Sequence, residues 1–419
     1  MTQARPRHGP RGLTWLVGGR LAMTAANAGL MLLAALVFMD GATFGSFAIA
    51  ISLQIVASRA VLLGLDQGVV RLHTVAQDRT EPVRAAVSIA GGLGVVLLLL
   101  GAIVAPLQLG TVRWPIVVAV ALGAVGSAWF DLGCAIVLAR LRYRAAGLLT
   151  AAMPSVRLGV TLAACSATHD DSLLPIVAYG AATFGAGVVL LGAVVRRFGW
   201  HAGTEMCGRE LHYTKWVGMS DAATVLSQVL ALLVLKRCGQ DAEAGRFAFA
   251  MQAVQVFVAM FVAFYQSLLP RAARLGGIDA VPIFLRQSLR MAFRLALACA
   301  VAACVAALVL PMVLEVLRPE LTAFGPGFLG LSAFAVVMFF EAPLGVICQY
   351  LLRPRLHLLA LLVRCAAVGG LALWLVPGNG ALGAGLAQFG GGVLGAMALL
   401  WLVLGALHEA KGPRACAAS

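Results

Sequence analysis

The sequence predicts an all-α polytopic membrane protein of about twelve transmembrane helices in two pseudo-symmetric six-helix lobes. Of the 419 residues, 61% are hydrophobic and only 11% are charged, and the mean hydropathy is +0.95. Soluble domains carry about 25% charged residues, so this chain lacks the polar side chains that a water-facing surface needs. Apolar runs of about 20 residues cross a bilayer as helices, which satisfy their own backbone hydrogen bonds there.

Twelve apolar runs are bounded by charged residues, by proline or by polar clusters. They cover residues 13–38, 44–64, 85–105, 115–138, 145–166, 174–195, 214–235, 246–268, 289–310, 327–350, 356–376 and 381–407. The longest hydrophilic connection lies between the sixth and seventh runs. We therefore expect an N-terminal six-helix lobe over 1–195, a basic cytoplasmic linker over 196–213 and a C-terminal six-helix lobe over 214–419.

The first two runs reappear in the second half of the chain. Residues 13–71 align with 213–271 at one gapless offset of 200, with 15 identities in 59 positions. Similar composition alone would produce part of these identities, but it does not easily account for the Gly-x-Phe-Ala-x-Ala block that starts at Gly45 and Gly245. The pattern favours an internal duplication, and two even-numbered halves would be related by a two-fold axis along the membrane normal.

The net charge of +14 could indicate a nucleic-acid partner. Whether it does depends on where the basic residues lie along the chain. Of the 31 Lys and Arg residues, 21 fall in the segments on one side of the predicted membrane and five on the other. Basic residues collect in cytoplasmic loops. The charge therefore predicts topology, with both termini in the cytoplasm, and we expect no nucleic-acid partner.

Apart from Lys215, Arg246 and Arg290, each at the first or second residue of its span, eight charged residues lie inside the spans, where each costs at least about 2.5 kcal/mol at mid-bilayer. They are Arg20, Arg59, Arg157, Arg294, Arg364, Asp131, Asp221 and Glu341. Among the arginines, Arg157 and Arg364 lie deepest, roughly 18 and 12 Å from the cytoplasmic ends of their spans. Because arginine stays protonated in a low dielectric and binds phosphate bidentately, we expect the five arginines to line a cationic cavity for an anionic, phosphate-bearing substrate.

Two simpler interpretations of these charges stay open. Arg59 and Arg294 lie about five residues from the cytoplasmic ends of their spans, where a long side chain can snorkel to water. Asp131 with Arg157, and Glu341 with Arg364, lie on neighbouring spans and could form structural ion pairs.

A carboxylate inside a transporter can also carry a coupling ion. Glu341 stands two residues before Pro343, where proline leaves a backbone carbonyl without its helix partner. We expect Glu341 to bind H⁺ or Na⁺, with Asp131 and Asp221 as further candidates, and a permanent Glu341–Arg364 ion pair as the alternative. Known catalytic motifs and metal-ligand spacings are absent from the sequence, so we expect no enzyme activity, no metal and no other cofactor.

The duplicated stretch carries a resemblance to a known family. Its residues are Phe44-Gly45-Ser46-Phe47-Ala48, Gly64-Leu65-Asp66 and Arg71, with Ala244-Gly245-Arg246-Phe247-Ala248 and Leu269-Pro270-Arg271 in the second half. The chain resembles the polysaccharide-unit flippases (Wzx-type) of the MOP superfamily, which includes the lipid II flippases and the MATE exporters.

That resemblance implies a function in surface polysaccharide biosynthesis at the bacterial cytoplasmic (inner) membrane. The substrate would be an undecaprenyl-diphosphate-linked oligosaccharide, moved from the cytoplasmic to the outer leaflet by alternating access of two lobes. A polysaccharide polymerase and glycosyltransferases would be partners, together with membrane lipid.

Three other functions are alternatives to the flippase. A MATE-like exporter of cationic drugs would want an acidic, aromatic-lined cavity, whereas the intramembrane charges here are mostly arginine. A membrane-embedded glycosyltransferase, ligase or polymerase would need catalytic side chains on a sizeable external loop, and the predicted external loops are short. A non-transporting scaffold of an envelope-polymer assembly complex needs neither feature.

Overall fold

The computed structural model describes residues 11–69, 80–104, 114–140, 142–168, 172–200, 203–272, 278–350 and 354–411. Throughout these ranges the chain is helical or in turns, with no strand. The helices are α1 (Arg11–Leu33), α2 (Gly41–Leu62), α3 (Glu81–Val104), α4 (Trp114–Ala139), α5 (Tyr143–Ala167), α6 (Leu173–Phe198), α7 (Thr204–Arg237), α8 (Asp241–Ala272), α9 (Val281–Leu317), α10 (Gly325–Tyr350) and α11 (Pro354–Lys411). A π-helical turn, Ala34–Phe38, follows α1.

Helix α11 carries two of the predicted spans. Its backbone leaves the helical conformation at Gly380 (φ 52°, ψ −132°), which lies in the connection 377–380 between the eleventh and twelfth predicted runs. The second segment returns beside the first, because a Cβ at Gly395 would lie 2.8 Å from Cβ of Arg364. The backbone N–H of Ala381 donates to Oε2 of Glu243 at 3.1 Å, so a carboxylate from α8 accepts from the first N–H after the break.

The predicted fold class is confirmed. Within the described residues, ten helices are long and apolar enough to cross a bilayer, and a shorter apolar stretch covers Ala22–Phe38. With α11 counted as two spans, these helices correspond to the twelve predicted runs. Lipid can cover their large exposed apolar faces, which water could not.

The chain forms two compact units. The first contains the described parts of Met1–Ala34 and Leu53–Gly218, and the second those of Ala35–Ser52 and Met219–Ser419. Residues 35–52 therefore pack with the second unit although they precede the linker in sequence. The predicted lobe boundaries of 1–195, 196–213 and 214–419 stay a prediction about the repeated halves.

Close helix crossings organise the first unit. A Cβ at Gly126 of α4 would lie 2.5 Å from the carbonyl oxygen of Thr183 in α6, so only glycine permits this approach. The same unit contains a turn in which Leu63 (φ 47°) and Gly64 (φ 70°) end α2. A Cβ at Gly64 would lie 2.9 Å from the backbone N of Gly218, which leaves no room for a larger residue.

In the second unit, the two copies of the repeated motif pack against each other. A Cβ at Gly45 of α2 would lie 3.0 Å from the backbone N of Gly245 in α8. Phe47 and Phe247, two residues further on in each copy, are both completely buried. The Gly-x-Phe block therefore has a packing role: glycine lets the helices approach, and phenylalanine fills the space beside the contact.

Candidate functional site: a buried arginine in each unit

In the first unit, Arg157 lies between three helices. It projects from α5 and is 7% exposed, donates a hydrogen bond to Oδ1 of Asn27 in α1, and holds its guanidinium carbon 4.4 Å from the ring centroid of Tyr179 in α6. Its Nε has no hydrogen-bond partner in the part of the chain that the structure describes. Among the described residues no carboxylate pairs with Arg157, so its buried charge is balanced by an amide dipole and an aromatic face.

The acid that the alternative interpretation placed beside Arg157 pairs with another residue. Asp131 of α4 forms its ion pair with Arg59 of α2, with Oδ2 and Nη2 3.4 Å apart and both side chains about one-third exposed. The suggested Asp131–Arg157 ion pair is therefore wrong. Arg59 is close enough to the surface for water to screen the interaction, so this pair contributes little to stability.

A third charge lies in the same corner of the first unit. Asp66, just after the turn that ends α2, has a buried Oδ1 without a hydrogen-bond partner. Burial raises the pKa of the Asp66 carboxyl, the Arg59 guanidinium opposes that rise, and the Asp131 carboxylate adds to it. Sequence reasoning missed this residue because it lies just outside the predicted span, although Gly64-Leu65-Asp66 was among the residues that carried the family resemblance.

In the second unit, Arg364 and Glu341 form a buried ion pair. Nη2 of Arg364 in α11 donates to Oε2 of Glu341 in α10, and the two residues are 3% and 8% exposed. The guanidinium carbon lies 5.5 Å from the ring centroid of Phe334. Oε1 of Glu341 and Nε of Arg364 have no hydrogen-bond partner among the described residues. The ion pair that the sequence suggested is therefore formed, but each of its two residues retains one buried polar atom without a hydrogen bond.

Further buried polar groups lie on the same two helices. Oγ of Ser332, both amide atoms of Gln388 and Nδ1 of His357 are buried without hydrogen-bond partners. A buried polar group without a partner costs about 1–3 kcal/mol, so a water molecule bound at any one of them would be stabilising. Ser332 and Gln388 are uncharged, and His357 is the second residue of the eleventh predicted run, so none of the three is among the charged residues that the sequence places within the spans.

The remaining predicted site residues lie elsewhere. The backbone of Arg20 belongs to α1, but its side chain is outside the described structure. Asp221 is half-buried in α7. Arg294 is exposed on α9, beside Arg286 and Arg290. Substrate binding by the five arginines and ion binding by Asp131, Asp221 and Glu341 stay predictions.

Comparison with known proteins identifies the fold. No protein-family model matches the sequence, and no curated protein matches it. Among solved structures, the chain is similar to a lipid II flippase MurJ in an inward closed conformation, with a TM-score of 0.71 at 11% identity over 94% of this chain and 87% of that one.

Multidrug transporters give comparable matches. A MATE family transporter of the MOP superfamily, in an inward-facing conformation, matches with a TM-score of 0.66 at 15% identity over 95% of this chain and 96% of that one. A point mutant of the Vibrio cholerae MATE transporter VcmN matches with a TM-score of 0.61 at 15% identity over 96% of both chains. The protein thus has the helical membrane fold that lipid II flippases share with MATE transporters.

Proposed function

We propose that the protein is a flippase that moves an undecaprenyl-diphosphate-linked oligosaccharide from the cytoplasmic to the outer leaflet of the bacterial inner membrane. It would work by alternating access, with both termini in the cytoplasm. The observation that carries this proposal is the buried guanidinium of Arg157, which is 7% exposed and has no carboxylate partner among the described residues. The likeness to a lipid II flippase supports the same substrate class.

The chemistry of this arginine favours an anion. A buried cation without a counter-ion is costly, and a phosphate oxygen would offset that cost with charge-assisted hydrogen bonds. Nε of Arg157 donates no hydrogen bond to a described residue, so it can donate one to such a ligand. A cationic drug would instead meet repulsion at this residue, which argues against a MATE-like exporter despite the equally extensive structural likeness.

With this proposed substrate, the protein would act between two steps of polysaccharide biosynthesis. Glycosyltransferases would build the lipid-linked oligosaccharide at the cytoplasmic face, and a polymerase would use it at the outer face. We propose a coupling ion, H⁺ or Na⁺, at Glu341, whose Oε1 is buried without a partner. When a substrate phosphate draws Arg364 away, the carboxylate would need a replacement cation, and ion binding would then bias the conformational equilibrium.

The test measures lipid flipping and drug export side by side in proteoliposomes. A fluorescent NBD-labelled polyprenyl-diphosphate disaccharide reports flipping by its protection from dithionite, and ethidium uptake reports drug transport. We expect wild-type protein to flip the lipid, Arg157→Gln to lose at least about 90% of the rate, and Arg157→Lys to recover part of it, because lysine lacks the bidentate geometry.

The matched control is Arg142→Gln, which removes an exposed arginine from the same unit and should leave the flipping rate unchanged. Ethidium transport without lipid flipping would overturn the proposal in favour of the MATE-like function. Transport of neither probe by folded wild-type protein would favour the scaffold function.

A further inference from the structure

The second unit has a basic groove on α9 that contains Arg294, one of the five arginines expected from the sequence to bind the substrate. Its volume is about 670 Å³, and it is lined by Arg286, Leu289, Arg290, Phe293, Arg294 and, from α10, Phe340. The three arginines are spaced at i, i+4 and i+8, so they form one stripe on the helix surface. That stripe extends about 12 Å along the helix axis.

The arginine stripe has no counter-charge within the described structure. None of its three members forms an ion pair or a hydrogen bond with a described residue. The nearest acid in sequence is Asp279, an exposed residue seven positions before Arg286 that forms no ion pair with a described residue. On α9 itself the nearest acid is Glu315, about 31 Å along the helix from Arg294, and on α10 Glu341 is already paired with Arg364. The three exposed cations of the groove thus have no anionic partner among the described residues.

The surroundings of the groove identify the source of that anion. In the most apolar window of α9 only 17% of residues are buried, the lowest share among the ten membrane-crossing candidates. Phe293 is 59% exposed and Leu297, one turn further, is 55% exposed. This helix therefore faces lipid, and the predicted topology places its arginine-bearing end in the cytoplasmic leaflet.

We propose that the groove binds an anionic glycerophospholipid of the cytoplasmic leaflet. The phosphodiester lies against Arg286, Arg290 and Arg294, and the acyl chains lie along Phe293 and Phe340. Basic pockets between membrane helices suit anionic headgroups, and each arginine near the surface contributes roughly a fivefold increase in affinity. The occupant is distinct from the transported lipid, and this proposal replaces substrate binding as the role of Arg294, because the groove arginines are exposed whereas Arg157 and Arg364 are buried.

Native mass spectrometry of the detergent-purified protein tests this proposal. With phosphatidylglycerol and phosphatidylcholine at equal concentration, wild-type protein should retain phosphatidylglycerol. The triple variant Arg286→Gln, Arg290→Gln and Arg294→Gln should bind it on the order of 100-fold more weakly. The control removes the same charge from exposed positions that share no groove: Arg142→Gln, Arg196→Gln and Arg197→Gln. It should bind like wild type.

Equal binding by the first triple variant, or equal loss in the control, would overturn the proposal and leave only snorkelling or bulk electrostatics. Displacement of the bound phosphatidylglycerol by undecaprenyl phosphate would also overturn it, because the groove would then belong to the transported lipid. A second measurement keeps the native charges: in Phe293→Trp, brominated phosphatidylglycerol should quench the new fluorescence at a lower mole fraction than brominated phosphatidylcholine. Equal quenching contradicts the lipid site.

Discussion

At the residue scale, the surroundings of Asp66 set the pKa of its carboxyl group. Burial raises the pKa of the Asp66 carboxyl more than the Arg59 guanidinium lowers it, and the Asp131 carboxylate adds to the rise. Asp131 is itself paired with Arg59, so one arginine serves two acids. The Asp66 carboxylate is therefore incompletely compensated.

This imbalance predicts a pH-dependent effect of Asp66→Asn. Because the folded pKa is raised, the carboxyl contributes most to stability below its unfolded pKa of about 3.9, and this contribution is lost as the pH rises through the folded pKa. The neutral asparagine should therefore give a higher Tm than wild type at pH 8, with a difference that narrows towards pH 5. Thermal unfolding in detergent at pH 8 and at pH 5 measures the Tm of each protein.

The control is Asp279→Asn, which neutralises an exposed acid in a short 3₁₀ turn and should not change Tm at either pH. A lower Tm of Asp66→Asn at pH 8 would instead show that Arg59 compensates the carboxylate fully.

At the element scale, glycine positions set how closely the helices pack. α4 and α6 approach at Gly126, and in the second unit a Cβ at Gly330 of α10 would lie 2.5 Å from the carbonyl carbon of Gly385 in α11. Without a hydrophobic effect between helices in lipid, association depends on such close contacts. The fourth and sixth spans thus cross at a glycine, as the tenth and twelfth spans do.

Gly126→Leu should disrupt the α4–α6 crossing. The new side chain would meet backbone atoms of Thr183 and Phe184, which cannot move aside as a flexible side chain can. Overpacking costs about 1–3 kcal/mol and occasionally more, and we expect a cost at the upper end. The yield of monodisperse protein and its Tm in detergent measure the loss.

The matched control is Gly192→Leu, on the exposed side of α6, where an added Cβ would have nothing within 4 Å. This variant should behave like wild type. Comparable losses in both variants would show that leucine is poorly tolerated at these glycines for reasons other than packing.

At the scale of the whole molecule, the proposed transport cycle depends on whether the Glu341–Arg364 pair ever opens. A permanent pair would be structural, and breaking it by removing one partner would cost about 3–5 kcal/mol. The Oε1 of Glu341, which is buried and accepts no hydrogen bond from a described residue, instead suits a site whose occupancy changes.

The exchange Glu341→Arg with Arg364→Glu separates the two roles. A structural pair tolerates the exchange, whereas a coupling site does not, because the carboxylate moves to another helix. We expect the exchange to abolish lipid flipping in proteoliposomes while the protein remains monodisperse. Flipping near the wild-type rate, with unchanged dependence on the H⁺ or Na⁺ gradient, rules out the coupling role.

Gly395 makes room for the arginine at its present position, so the exchanged protein could fail to fold. Glu341→Gln then provides the test, because it keeps the shape of the side chain and mimics its protonated form. Flipping in this variant should no longer respond to the ion gradient, and a wild-type response would exclude coupling at Glu341.

The helical membrane fold and the positions of its spans could be predicted from the sequence alone. Composition along the chain decides which segments prefer lipid, and backbone hydrogen bonding there permits only helices among these apolar runs. The same local signals located the turn at Gly380 and the intramembrane charges, including the Glu341–Arg364 pair on spans that are neighbours in the chain.

Only the packing of the helices shows which of these charged residues contact each other. Arg157 binds Asn27, 130 residues away in the chain, and Asp131 pairs with Arg59, whereas the sequence had suggested Arg157 as a possible partner. Local apolar patterns do not encode which spans pack side by side. That choice depends on where glycines allow backbones to approach, so partners distant in sequence emerge only once the helices have packed.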